Sequence, residues 1–178
     1  MTKIKTVLKY AAIILAIVVI DQLAKDFLLY LITGRVPVSG AAWSLVPMPY
    51  MMWRITSFFN IVFTWNPGTS FSLFRALGEA APLIIVVATG FIIGFIGYYM
   101  AMRARSWERP ALALIMGGAI GNLIDRVRFG AVIDFLDFHL GVHHWPAFNI
   151  ADICICVGVG LYVLMWLIQQ HREKLKNK

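Results

Sequence analysis

The run AAPLIIVVATGFIIGFIGYYMAM, residues 80–102, holds 23 consecutive residues without a charge. At a helical rise of about 1.5 Å per residue it extends roughly 34 Å, enough to cross a hydrocarbon core about 30 Å thick. Three further stretches satisfy the same arithmetic. Residues 10–32 are uncharged except for Asp21, Lys25 and Asp26. Residues 110–127 stay uncharged from Pro110 to Ile124 before reaching Asp125 and Arg126, and residues 149–170 carry Asp152 near their start. Four spans joined by extracytoplasmic loops at 33–79 and 128–148 describe one integral-membrane domain over residues 1–178.

The composition agrees. Of 178 residues, 60% are hydrophobic and 14% charged, whereas a soluble domain needs about a quarter charged to cover its surface. A chain this apolar, with 13% aromatics, cannot stay solvated as a disordered segment either. Lys3, Lys5 and Lys9 before an apolar run suggest a signal peptide, but Asp21-Gln22-x-x-Lys25 stands where small residues would mark cleavage, so the segment reads as retained. Cys154 and Cys156, two apart in an apolar run, read as packing residues and not as a disulfide or metal pair.

The net charge of +7 is a topology signal. Lys3, Lys5, Lys9, Arg103, Arg105, Arg109, Arg172, Lys174, Lys176 and Lys178 fall on one side of the four spans, which makes that side cytoplasmic and places both termini there. No basic stripe suited to nucleic acid remains. Residues 58–65 are β-branched and aromatic, and Asn66-Pro67-Gly68 punctuates them before residues 70–74, which reads as a small extracytoplasmic sheet. Residues 41–53, interrupted by Pro47 and Pro49, read as an interfacial loop or helix. Residues 128–148 read as a loop holding Asp134, Asp137, His139, His143, His144 and Trp145, the histidines serving as interfacial anchors and not as metal ligands.

Ionisable groups gather at one depth. Counted from the cytoplasmic ends, Asp21 lies about 18 Å in, Asp125 about 22 Å and Asp152 about 30 Å. Each costs at least a few kcal/mol in lipid, so they should face the bundle interior. Asp21 and Lys25 share a helix face, as do Asn122, Asp125 and Arg126, and as do Asn149 and Asp152. Read as structure alone, Asp21/Lys25 is an internal ion pair, Asp125/Arg126 a salt bridge at the outer interface, and Gly117-x-x-x-Gly121 and Gly90-x-x-x-Gly94 are helix-packing stripes. Read as chemistry, two carboxylates held together cannot both ionise cheaply, so one keeps a proton while the other takes one from water, the arrangement of an aspartic peptidase. Spacing leaves the pair open among Asp21, Asp125, Asp134, Asp137 and Asp152. A proton-coupled transporter needs polar groups through the full membrane depth, which the spans lack, and an adaptor leaves the Asn/Asp clusters without a use.

Asp21-Gln22-x-x-Lys25, Asn66-x-Gly68-x-x-Phe71, Gly117-Gly118-Ala119-x-Gly121-Asn122-x-x-Asp125-Arg126, Gly130-x-Val132-x-Asp134-Phe135 and Phe148-Asn149-x-Ala151-Asp152 follow one another in an order that resembles the lipoprotein signal peptidases (signal peptidase II). The resemblance runs from the first span to the last. It implies a monomeric four-span aspartic endopeptidase of the bacterial inner membrane, with a small extracytoplasmic β-cradle and an active site near the extracytoplasmic face. The expected activity is removal of signal peptides from diacylglyceryl-modified prolipoproteins by cleavage before the lipidated cysteine. It further implies contact with membrane lipids, no cofactor or metal, and sensitivity to cyclic peptides of the globomycin type. By position, Asp134 and Asp152 match the catalytic dyad, while Asp21, Lys25, Asn66, Gly68, Asn122, Asp125, Arg126, Asn149 and Ala151 match positions that bind substrate or shape the site. The stretch between Ile32 and Asn66 is longer than the family pattern, Thr69-Ser70 stands where small Ala-type residues are common, and His143-His144 has no counterpart.

Overall fold

The computed structural model describes residues 3–34, 51–68 and 81–176. Four helices are long and apolar enough to cross a membrane: α1 (Lys3–Thr33), α2 (Ala81–Met102), α3 (Arg109–Phe129) and α4 (Ile150–Lys176). Three of them, α1, α3 and α4, run past the limits expected from hydropathy at one end or both, while α2 stays within its own. Charged residues there, such as Lys5, Arg172 and Lys174, keep helical backbone while leaving the apolar zone. Pro110 sits in the first turn of α3, where a missing N–H loses no bond, and Gly130 ends the helix in the left-handed region, its N–H returning to the Arg126 carbonyl at 2.9 Å.

The third helix is the hub, packed against α1, α2 and α4. The Gly117 stripe explains why: a β-carbon at Gly117 would strike Ile17 of α1, and one at Gly118 would strike the Ala151 carbonyl of α4. Gly90 and Gly94 of α2 meet nothing within 4 Å, so the second stripe packs against no described residue, contrary to the expectation from spacing. The packing order is that of a membrane protein. Phe91 and Phe95 of α2 are 76% and 68% exposed, while Asp21, Lys25, Asp125 and Asn149 are fully buried. Apolar surface needs no burial in lipid, whereas unpaired charge does.

At one end of the bundle lie β1 (Met52–Arg54), β2 (Phe59–Asn66), β3 (Val132–Leu140) and β4 (His143–His144), an antiparallel sheet in that order. The sheet was expected from residues 58–65, but its main partner was not: residues 128–148 are no simple loop, since β3 pairs with β2 and turns back through Gly141 into β4. Val132-Ile133 and Phe135-Leu136 supply the β-branched and apolar residues that a strand needs, yet the acids and histidines among them gave the stretch a loop's composition. The expected partner at 70–74 and residues 41–50 of the expected interfacial segment 41–53 lie outside the described residues, while Met52 and Trp53 at its end belong to β1 and not to an interfacial loop or helix. Leu28 and Leu29 of α1, Phe63 of β2, Phe129 of α3 and Ile133 and Phe135 of β3 form an apolar core where the sheet meets the helix ends.

Candidate active site

Asp134 lies on β3 opposite Thr64 of β2, and Asp152 lies in the first turn of α4. The two elements are tied just before α4 begins: Phe148 bridges Leu136 of β3, with N–H to carbonyl bonds of 2.8 and 3.1 Å. The next residue, Asn149, is thereby laid against β3 and becomes the joint between the carboxylates. Its Nδ2 donates to Asp134 Oδ1 at 2.7 Å, to the Ile133 carbonyl at 3.2 Å and to Asn122 Oδ1 at 3.1 Å. Its backbone N–H donates to Asp152 Oδ2 at 3.2 Å, while its Oδ1 accepts the Asp152 N–H at 2.9 Å. That reciprocal pair is a capping box written Asn-Ile-Ala-Asp, so the carboxylate that closes the helix start is the one presented to the site. The N-x-x-D spacing was a signal for this cap, but sequence reading took it only as a shared helix face.

Two more amides complete the setting. Asn122 Nδ2 of α3 donates to Asp152 Oδ1 at 2.7 Å, and Asn66 Nδ2 donates to Asp134 Oδ2 at 2.8 Å. Asn66 is aimed by its own turn: its Oδ1 accepts the Gly68 N–H at 2.9 Å, which leaves the amide nitrogen facing Asp134. Gly68 has φ 75°, and an added β-carbon would lie 3.0 Å from Ile85 of α2 and 3.6 Å from the Arg126 guanidinium, so neither backbone nor space admits a side chain. Burial pushes the Asp134 carboxyl up to about 6, with the nearby Asp152 charge adding to the rise and the Asn66 and Asn149 hydrogen bonds opposing it.

Behind this pair lies a buried ionic group. Lys25 Nζ is 2.8 Å from Asp21 Oδ2 and 2.8 Å from Asp125 Oδ2, with all three side chains fully shielded from solvent, and donates to Asn122 Oδ1 at 3.2 Å. Gln22 Nε2 donates to Asp125 Oδ1 at 2.7 Å. Each carboxylate also grips the backbone next to one of the site aspartates: Asp125 Oδ2 accepts the Ile133 N–H at 3.2 Å and Asp21 Oδ1 accepts the Ala151 N–H at 3.0 Å. Residues 133 and 151 immediately precede Asp134 and Asp152. Lys25 thus holds two carboxylates that fix the backbones of the strand and the helix relative to one another. Gly121 makes room for this, since a β-carbon there would lie 2.6 Å from Asp21 Oδ2.

One expected pairing changes, while the Asp21/Lys25 pair forms as expected. Asp125 does not bridge to Arg126; its partner is Lys25, because Asp125 points into the bundle while Arg126 turns toward Gly68 and donates to the Asn122 carbonyl at 3.3 Å. Arg126 makes no ion pair with a described residue, and its Nε is buried without a hydrogen-bond partner. Asp26 belongs to none of this; it pairs at 3.0 Å with Arg128, which also donates to Gln22 Oε1.

Asp137 is the member of the five-aspartate set that the fold removes from the cluster. It lies three residues along β3, accepts from Asn60 Nδ2 at 2.8 Å and meets His144 Nδ1 at 2.9 Å, while the His144 ring stacks on His139 at 4.8 Å. Burial alone would raise its carboxyl, but the Asn60 hydrogen bond and His144 outweigh it and hold the group below the ordinary range. Its contribution to stability is therefore present above the ordinary carboxylate pKa and is lost as pH falls through the lowered one. We expect Asp137→Asn to leave peptide cleavage unchanged and to lower the thermal midpoint at pH 7 by roughly 2–4 °C, as about 1 kcal/mol would in a chain of this size. The gap to wild type should close as the buffer is taken to acid; a midpoint unchanged at pH 7 contradicts the pairing.

Similarity to known proteins extends over most of the chain. A family model described as Signal peptidase (SPase) II matches residues 13–168. The lipoprotein signal peptidase of Syntrophotalea carbinolica is 41% identical over 125 residues, covering 70% of this chain and 75% of that one. The lipoprotein signal peptidase of Rickettsia akari is 34% identical over 158 residues, covering 89% and 74%. Among solved structures, a bacterial membrane enzyme determined by the in meso method at 2.3 Å matches with TM-score 0.68 and 25% identity over 91% of this chain and 89% of that one.

Proposed function

The chain belongs to the signal peptidase II family of aspartic peptidases, multi-pass membrane enzymes that remove signal peptides from prolipoproteins, and we propose that Asp134 and Asp152 are its catalytic pair. The observation that carries this is Asn149, whose amide donates to Asp134 while its backbone N–H donates to Asp152. One residue thereby holds both carboxylates to the same point at the outer end of the bundle.

The chemistry divides between them by environment. Asp134, whose carboxyl burial pushes up to about 6, serves as the acid when it carries the pair's proton. Asp152 takes a proton from a water placed between the two, and the resulting hydroxide attacks the scissile carbonyl as Asp134 donates to the carbonyl oxygen. When the tetrahedral intermediate collapses, the protonated carbonyl oxygen returns its proton to Asp134, the C–N bond breaks and the proton held by Asp152 passes to the leaving nitrogen. That nitrogen belongs to the lipidated cysteine, the first residue of the mature product. Asn66 and Asn122 keep the outer oxygens of the pair in register, and Arg126, a half-buried cation without an acidic partner among the described residues, stands over the Asn66–Gly68 turn to bind a substrate carbonyl. Asp21, Lys25, Asp125 and Ala151 act through the backbone, and Gly68 keeps the substrate path open.

The diacylglyceryl group would lie in lipid beside the sheet while the signal helix runs among the spans. Lysines and arginines at the ends of α1, α2 and α4 that lie away from the site support cytoplasmic termini in a bacterial inner membrane and an extracytoplasmic active site. The enzyme acts as a monomer, and a cyclic peptide of the globomycin type that presents a hydroxyl or carbonyl to the pair would inhibit. The test compares a diacylglyceryl-modified precursor with the same precursor unmodified, incubated with the purified enzyme in detergent and followed by gel. Cleavage of the modified form only is expected; equal cleavage of both would show a general membrane peptidase.

A further inference from the structure

At the opposite end of the bundle, α1 and α2 both pack on α3 but scarcely touch one another, and the wedge between them stays open. The resulting groove has a volume of about 190 Å³, well above the roughly 10–15 Å³ on the same measure that holds one water. Its walls are apolar: Val7, Tyr10 and Ile14 of α1, Gly97 and Met100 of α2, and Met116 of α3 beneath. Arg109, the first residue of α3, also lines it. Arg109 has no hydrogen bond or ion pair with a described residue, and its Nε is buried without a partner. The adjacent acid cannot serve, because Glu108 turns away to accept from Tyr99 at 2.9 Å, from Tyr162 at 3.3 Å and from the Arg105 backbone. Lys9 adds a second cation at the rim, its Nζ lying 5.5 Å over the ring of Tyr10. The other acid at this end, Glu173, faces Arg105.

We propose that this groove is a binding site for one anionic phospholipid, its acyl chain lying between α1 and α2 and its phosphate on Arg109. The space suits a flexible chain and is too slight for a helix about 10 Å across, which disfavours a second copy or a signal helix. An unpaired guanidinium beside an apolar slot, with lysine nearby and no free carboxylate among the described residues at this end, is complementary to a lipid phosphate and unfavourable if left empty in hydrocarbon. The site is separate from the peptidase pair: Arg109 and Asp125 are sixteen residues apart on α3, or about 24 Å.

The test uses the full-length protein in detergent, supplied with equal phosphatidylglycerol and phosphatidylethanolamine, with retained lipid counted by native mass spectrometry. One retained lipid is expected, with phosphatidylglycerol preferred roughly five-fold. Arg109→Gln should abolish the preference and Arg109→Lys should keep it. Gly97→Leu fills the slot, because a β-carbon there meets only the Met116 methyl at 3.6 Å, and should reduce retention of both lipids. Ala101→Leu, on the same wall, is a second filling variant should Gly97→Leu not fold. Unchanged cleavage of a lipidated precursor by each variant shows that the bundle is intact. Wild-type preference in Arg109→Gln, or full retention in a cleavage-competent filled variant, would overturn the site.

Discussion

Asp134→Asn and Asp152→Asn each lower cleavage of a lipidated precursor by roughly 10³-fold or more, while the protein stays inserted and folded. The substitution keeps shape and removes the ability to hold or take a proton, which is all that separates the proposed roles. It also has a structural effect that can be anticipated. Both oxygens of Asp134 accept from amide nitrogens, Asn149 at 2.7 Å and Asn66 at 2.8 Å, and both oxygens of Asp152 accept from Asn122 and the Asn149 backbone. An amide at either position turns an NH2 toward a donor, leaving a clash worth about 1–3 kcal/mol. The thermal midpoint should therefore fall by several degrees, roughly 2–4 °C for each kcal/mol, without loss of the folded state. Measured together, the midpoint and the single-turnover rate separate damage to the fold from loss of chemistry. Near wild-type cleavage by either variant would remove that residue from the pair.

Lys25→Met is expected to be the most destabilising single change away from the pair. It removes the one cation placed between Asp21 and Asp125 and leaves two carboxylates buried together. Breaking a buried pair in this way costs about 3–5 kcal/mol, a shift of roughly 10 °C in midpoint for a chain of this length. Because each carboxylate also fixes the backbone before one site aspartate, cleavage should fall with stability. Adding Asp21→Asn and Asp125→Asn should restore much of the midpoint, since no unpaired charge then remains. Thermal unfolding in detergent followed by tryptophan fluorescence measures both steps. A Lys25→Met variant as stable as wild type would mean that the group is solvated and not the closed network seen here.

Much of this protein is legible in local sequence because a membrane simplifies the reading. Apolar length sets the spans, and scarce polar residues inside them must converge, so Asp21, Lys25, Asn122, Asp125, Asn149 and Asp152 could be singled out before any contact was seen. Strand β2 was readable from aromatic and β-branched residues bounded by Asn66-Pro67-Gly68. Strand β3 was harder, because a strand that carries a buried acid on its site face and histidines at its tip has a loop's composition. Its identity depends on pairing with β2, some seventy residues earlier, and pairing over that distance leaves no local periodicity.

The partners were harder still. Adjacency suggested Asp125 with Arg126, but neighbouring helical residues point about 100° apart, and packing on α1 gave Asp125 to Lys25. Asn149 reads in sequence as one polar residue beside another; only when Phe148 pairs with Leu136 does its amide reach Asp134 while its backbone reaches Asp152. By itself, then, the amino-acid sequence determined the four spans and the family, because these follow from composition and motif order along the chain. The tertiary structure alone decided which oxygen each donor meets, which aspartate leaves the site and which cation stays unpaired, because hydrogen bonds a few ångströms long are set by how separate helices and strands pack.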